Sequence, residues 1–198
     1  LTARERIDAL VDAETFQELG QLAHSDRVED YASTPADGKI TGYGDIDGRT
    51  VYVAADDVTV KAGSYGRTAH KKQTNGANYA VKKGYPIINL GDTGGGRIPD
   101  VMGAPGLMSV LLRIDKPPRD RRVPYIATIM GDCFGGPTFF AAAADVVIQV
   151  KGAVMAVTGP PVLAAATGEV VDAQELGGWE LHATTTGQID LVAEDDEE

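Results

Sequence analysis

Twice in this chain a hydrophobic run gives way to a Gly-rich turn and then to a helix-forming segment. The first is Pro86-Ile-Ile-Asn-Leu followed by Gly91-Asp-Thr-Gly-Gly-Gly-Arg97. The second is Pro124-Tyr-Ile-Ala-Thr-Ile-Met followed by Gly131-Asp-Cys-Phe-Gly-Gly-Pro137. A short unbroken apolar run bounded by turn residues fits a strand buried on both faces, as in a parallel sheet covered by helices. Glycine supplies positive φ and close backbone approach, and Pro137 suits a first helical turn, where its missing donor is no loss. Repeated strand–turn–helix units make the chain α/β. N–H groups at a helix start, with the helix dipole behind them, favour negative charge. Two such turns on adjacent strands would converge on one developing oxyanion. On spacing alone, plain strand ends are the commoner meaning of such turns. The first turn has neither the Gly-Lys-Ser/Thr ending of a nucleotide loop nor the glycine order of a dinucleotide loop.

The remaining pattern is consistent with this class. Thr2-Ala-Arg-Glu5 reads as a capping box opening a helix over 3–12, and 20–37 as a polar, irregular connector. Two alternating runs around Asp47-Gly48 predict a hairpin. After the turn Ala62-Gly-Ser-Tyr-Gly66, a long helix is expected over 66–83, ended by Gly84 and Pro86. Further helices are expected over 100–114, from Pro137 to Ala144, after Thr158-Gly-Pro-Pro and over 172–176, with a basic loop at Arg119 to Arg122. Short strands are expected at 145–150, 153–157 and 188–192.

The chain has 198 residues, enough for one domain with a core that needs no disulfide or metal. Its net charge of −11 argues against nucleic acid and anionic membrane as partners. Yet from Val58 to Gly91 there is no acidic residue, while Lys61, Arg67, Lys71, Lys72, Lys82 and Lys83 fall there. A solvated helix face is the ordinary meaning of such a run; in so acidic a chain it points to a small polyanionic ligand. The single Cys133 and three scattered histidines exclude a disulfide framework and offer no metal site. No apolar run reaches membrane-spanning length and no secretory pattern is present, so a cytoplasmic location is expected. Gly131-Asp-Cys-Phe-Gly135 also has the spacing of a nucleophile elbow, with Asp172 and His182 following in order, which is the pattern of a cysteine hydrolase. The alternative for Cys133 is a small buried residue.

Seven ordered segments resemble the carboxyltransferase (beta) subunit of biotin-dependent acyl-CoA carboxylases, of the acetyl-, propionyl- or methylcrotonyl-CoA type, in its N-terminal half. They are Leu1-Thr-Ala-Arg-Glu-Arg-Ile-Asp-Ala-Leu, Asp37-Gly-Lys-Ile-Thr-Gly-Tyr-Gly-Asp-Ile-Asp-Gly-Arg and Val58-Thr-Val-Lys-Ala-Gly-Ser-Tyr-Gly. Asp92-Thr-Gly-Gly-Gly-Arg-Ile, which resembles D-S-G-G-A-R-I, and Gly131-Asp-Cys-Phe-Gly-Gly, which resembles G-P-C-A-G-G, follow. Val157-Thr-Gly-Pro-Pro-Val and Thr167-Gly-Glu-Val-Val-Asp-Ala-Gln-Glu-Leu-Gly-Gly close the set.

The resemblance implies a crotonase-like fold, a spiral of ββα units, with 1–37 as opening helix and connector, 38–193 as core and 194–198 as acidic tail or linker. It implies an acyl-CoA substrate and an enolate oxyanion hole formed by the backbone N–H groups of Gly96 and Gly136. Lys61, Gly63, Ser64, Gly94, Gly95, Arg97, Cys133, Phe134 and Gly135 are the implied substrate and CoA contacts. Biotin is expected on a partner rather than on this chain. The implied partners are the second carboxyltransferase half and the biotin carrier and biotin carboxylase components, in a homo- or hetero-oligomer. The chain does not begin with Met and stops where the family's chain would cross to its other half, so that half is expected on another subunit or in a longer chain. Gly96, Asp132, Phe134, Pro137 and Arg67 depart from the family pattern. A biotin-independent acyl-CoA decarboxylase and a non-catalytic acyl-CoA-binding subunit are compatible with the same motifs.

Overall fold

The first helix, α1 (Ala3–Leu10), forms where the sequence supplies both halves of a capping box. Thr2 Oγ1 accepts the Glu5 N–H at 3.3 Å and the Glu5 carboxylate accepts the Thr2 N–H at 2.7 Å. In the computed structural model, which describes residues 1–102 and 122–198, α1 lays Ala3 and Ile7 on the sheet against Val51, Val53 and Leu90. Burying a side chain such as Ile7 is worth roughly 1.5–3 kcal/mol.

The expected hairpin is present as β2 (Lys39–Ile46) and β3 (Arg49–Asp56), paired from Lys39↔Asp56 to Ile46↔Arg49. Asp47 and Gly48 have φ of 50° and 71°, the left-handed pair whose twist matches the strands. A three-residue edge strand, β1 (Gln17–Leu19), pairs antiparallel with β2 and was not expected. Gly42 admits it, because a Cβ there would lie 2.4 Å from the Gln17 carbonyl oxygen.

From β3 onward the sheet is parallel. β4 (Ile87–Thr93), β5 (Tyr125–Phe134), β6 (Val146–Val150) and β8 (Leu191–Ala193) follow one another, and β7 (Val154–Ala156) pairs with the far half of β5. Short helices α3 (Ile98–Val101), α4 (Gly136–Ala142), α5 (Pro160–Thr167), α6 (Ala173–Gly177) and α7 (Trp179–Leu181) connect or flank the later strands. Of the helix expected over 100–114, residues 103 onward lie outside the described residues, as does most of the basic loop at Arg119 to Arg122. The two largest cores among the described residues lie between α1 and β2–β4 and around β5–β8 and α4, with Met130 packed against both, and a smaller one around Tyr52 and Ala80 lies on the other side of the sheet's first half. Among the described residues no helix is long and apolar enough to cross a membrane.

The connector differs from its reading as a merely polar stretch. Thr34 and Asp37 are fully buried. Ala36 and Asp37 have φ of 51° and 53°, a conformation that costs non-glycine residues of order 1–3 kcal/mol unless the surroundings enforce it. Here they do. Asp37 Oδ2 accepts the Ala69 N–H at 2.8 Å and Oδ1 accepts from Arg97.

Helix α2 (Arg67–Lys83) ends as expected, with Gly84 left-handed at φ 80° and Tyr85 N–H returning to the Ala80 carbonyl at 2.9 Å. It contains Gly76, and a mid-helix glycine normally weakens a helix by about 1 kcal/mol relative to alanine. At this position a Cβ would fall 2.2 Å from the ring of Tyr52, which is completely buried beneath the helix. Overpacking therefore outweighs propensity, and Gly76→Ala is expected to destabilise the fold by about 1–3 kcal/mol. A urea melt checks this, and a rise in the midpoint would contradict the packing assigned to Tyr52.

Candidate active site

The two Gly-rich turns end side by side because β4 and β5 are neighbours. The strands pair in register from Ile87↔Tyr125 to Gly91↔Ile129 and re-pair at Thr93↔Cys133. β5 therefore carries a bulge over Met130, Gly131 and Asp132. Gly131 makes this possible, since a Cβ there would lie 2.3 Å from Asp92 Oδ1. Past the last pair, Gly96 and Gly136 each stand three residues beyond their paired strand residue. The turns also touch: a Cβ on Gly95, whose φ is 104°, would sit 3.2 Å from the Phe134 carbonyl oxygen.

The first turn is fixed on the preceding segment by its backbone. Gly94 N–H donates to Ala62 O at 2.9 Å, Tyr65 N–H to Gly95 O at 2.8 Å and Arg97 N–H to Tyr65 O at 3.1 Å. Gly95 N–H donates to Thr93 Oγ1 at 3.1 Å, and Gly135 N–H to Ala156 O at 3.2 Å. Neither Gly96 N–H nor Gly136 N–H donates to any acceptor among the described residues. Both glycines line a cleft of about 910 Å³, at the upper end of the usual range for ligand sites. Its walls are apolar: Tyr65, Phe134, Phe139, Phe140, Val157 and Val162. No charged side chain lines it among the described residues.

Of the other residues singled out from the sequence, Gly94, Gly95, Phe134 and Gly135 line the cleft, while Lys61, Gly63, Ser64, Arg97 and Cys133 do not. Lys61 pairs with Asp30 at 2.9 Å. Gly63 is buried against the Asp92 backbone, where a Cβ would meet the carbonyl oxygen at 2.4 Å. The Ser64 carbonyl accepts Arg97 Nη2 at 3.0 Å, so Arg97 ties the turn to Ser64 on one side and Asp37 on the other. Lys72 of the acid-free window is also engaged, donating to Ala36 O and Lys39 O at 2.9 and 2.6 Å, and burial lowers its pKa to about 8. Of the aromatic walls, Phe134 and Tyr65 lie in segments singled out from the sequence, whereas Phe139 and Phe140 carried no sequence signal, because they follow no motif spacing.

The elbow reading is corrected. Residues 131–134 are strand, not turn, because β7 pairs with them through Asp132↔Val154, Cys133↔Met155 and Phe134↔Ala156. Cys133 is buried in the second core, and burial, reinforced by Asp56, pushes its thiol up to about 12. His182 spends one ring nitrogen on Met155 O at 2.8 Å and the other on Thr186 Oγ1 at 2.9 Å. Asp172 caps α6 through Gln174 N–H. No acid–histidine–thiol relay exists. Iodoacetamide at pH 8 is expected to leave Cys133 unmodified in the native protein and to alkylate it after unfolding; rapid native labelling would contradict its burial.

The carboxyl transferase domain family matches residues 1–198. The chain is 40% identical over 200 residues to the methylmalonyl-CoA carboxyltransferase 12S subunit of Propionibacterium freudenreichii subsp. shermanii, covering 99% of this chain and 38% of that protein. It is 36% identical to the methylmalonyl-CoA decarboxylase alpha subunit of Veillonella parvula, covering 100% of this chain and 40% of that protein. The crystal structure of a transcarboxylase 12S hexamer, with hydrolysed methylmalonyl-coenzyme A bound, superposes with a TM-score of 0.86 at 38% identity, over 99% of this chain and 39% of that one. This crotonase-like α/β neighbour has the fold class that the motifs imply. The chain spans about two fifths of the length of the curated relatives it matches. On the match to the whole of its length and the likeness to these relatives, the chain belongs to the carboxyl transferase domain family.

Proposed function

We propose that this chain is the acyl-CoA-binding half of a carboxyltransferase, which holds an acyl-CoA enolate while a carboxyl group passes between carboxybiotin and the α- or vinylogous carbon. One observation carries this: Gly96 and Gly136 N–H, both without acceptors among the described residues, end adjacent strands and open on one apolar cleft. A thioester oxygen seated there accepts from both. When the α-proton leaves, charge builds on that oxygen, and preorganised donors in a low-dielectric cleft stabilise it far more than water does. Each such donor is typically worth about 2.7–4 kcal/mol in the transition state.

The chain's own residues thus bind, orient and stabilise, and none of them is needed as acid or base. Carboxybiotin, carried on a partner, supplies the carboxyl unit and the base. Gly94, Gly95, Phe134 and Gly135 flank the thioester, while Lys61, Gly63, Ser64 and Arg97 act behind the turn by bracing it. A second carboxyltransferase half closes the cleft. In support, α5 buries none of its residues although it is apolar, and Ile98, Phe139, Val157 and Val162 stand exposed around the cleft. Exposed apolar residues gathered at one rim are characteristic of a docking face. A biotin carrier and biotin carboxylase complete the complex, which belongs in the cytoplasm. The likeness to a decarboxylase subunit keeps a second activity in view, because decarboxylation of a malonyl-type thioester passes through the same enolate.

Carboxyl transfer from carboxybiotin to propionyl-CoA by the full-length enzyme tests the proposal. The native enzyme and Cys133→Ala are expected to agree within about threefold. Gly136→Pro, which removes one donor where a helix start accepts proline, is expected to lose on the order of 10²–10³-fold in kcat with CoA-thioester binding retained. Loss of activity in Cys133→Ala with binding intact would contradict the proposal. Turnover of malonyl-type thioesters without any biotin would favour the decarboxylase.

A further inference from the structure

The geometry points to Arg6 as the positioning residue that sets the two turns against each other, an inference that rests on the oxyanion role proposed for Gly96 and Gly136. Arg6 leaves α1 toward the sheet and is 8% exposed. Its guanidinium reaches three separate segments. Nη1 donates to Asp92 Oδ2 at 2.8 Å, Nη2 to the Met130 carbonyl at 3.2 Å and Nε to Asp196 Oδ2 at 2.8 Å.

The first two acceptors lie where β4 and β5 fall out of register. Asp92 is the last residue before the re-paired Thr93, and Met130 opens the bulge. The other oxygen of Asp92 presses on Gly131, and the Asp92 backbone N–H donates to Asp56 Oδ2 at 3.4 Å. Asp56 is in turn held by the buried Lys39 at 2.8 Å. The Asp92 side chain thus sits between a cation and a bare glycine backbone, and its position fixes how far β5 buckles. That buckle decides whether Gly136 N–H comes level with Gly96 N–H.

A fork of planar donors can hold a carboxylate and a carbonyl at once, whereas a lysine ammonium cannot reproduce the fork. Asp196 completes the clamp. The acidic run 194–198, read from the sequence as a tail or linker, is docked onto α1 at that residue. Neither Arg6 nor Asp92 is among the residues lining the cleft, so Arg6 acts through the backbone it holds.

The test uses the full-length enzyme with Arg6→Met, Arg6→Lys and, as a control for general loosening, Gly76→Ala. Amide hydrogen exchange reads the clamp independently of turnover. In Arg6→Met the peptides spanning 91–97 and 129–137 are expected to exchange faster together, with those of the β2–β3 hairpin unchanged. Unchanged exchange in both turns, or equal acceleration in Gly76→Ala, overturns the clamp. Carboxyl transfer to propionyl-CoA then reads the consequence. kcat is expected to fall on the order of 10²-fold, the penalty of a small misplacement of catalytic groups, with KM and CoA-thioester binding changed less than threefold and Arg6→Lys no more than partly active. A raised KM with kcat intact, or faster exchange with no loss of kcat, overturns the positioning role. If the native enzyme transfers no carboxyl group, the proposed function fails and the exchange result alone decides whether the clamp exists.

Discussion

The arrangement depends on a mismatch between two parallel strands. β4 and β5 pair residue for residue up to Gly91↔Ile129, and their next pair is Thr93↔Cys133. Extra backbone on one strand ordinarily leaves ladder groups unpaired and bends the strand. Here the bend is accommodated by a missing side chain, Gly131, into whose place the Asp92 carboxylate fits. Past it, Thr93 and Cys133 restore the pairing, and the two Gly-rich turns leave the sheet at the same level. Everything around them holds that level. Backbone hydrogen bonds to the Ala62 carbonyl and with Tyr65 secure the first turn, Arg97 fastens it to Asp37, and β7 keeps the second strand extended as far as Phe134.

How much of this could be read beforehand follows from how local the cause is. The capping box, the Asp47-Gly48 hairpin and the Gly84 stop are decided by residues a few positions apart, and each forms as expected. The strand-then-glycine signal located both turns and the α/β class. It missed that Asp132 to Phe134 are strand, because that is decided by pairing with Val154 to Ala156, more than 20 residues away. The same long-range logic hid β1 and the burial of Asp37, whose partners Ala69 and Arg97 lie far along the chain. The acid-free window was legible as charge but not as geometry. Lys61 and Lys72 are occupied by protein acceptors, which composition has no means of showing. The family resemblance supplied Gly96 and Gly136, and the hydrogen-bond pattern separates them from Gly95 and Gly135, whose N–H groups are already engaged.

The chemistry asked of this site is modest in residue types and demanding in placement. Among the described residues the apolar cleft has two free backbone donors and no charged side chain, and the Cys133 thiol is buried in the core instead of lining it. In the proposed role the two donors lower the cost of negative charge developing on one thioester oxygen, a stabilisation realised as the transition state forms. On the proposed function, an enolate-stabilising site is compatible with likeness to relatives named as both carboxyltransferase and decarboxylase subunits.

The central claim, that Gly96 and Gly136 polarise a thioester oxygen, is most directly tested by infrared difference spectroscopy of propionyl-CoA, ¹³C-labelled at the thioester carbonyl, bound to the full-length enzyme. Two hydrogen bonds from preorganised donors predict a carbonyl band at lower frequency than in water, returning toward the solution value when Gly136 is replaced by proline. A bound band at the free-thioester frequency, or one indifferent to that replacement, would contradict the account.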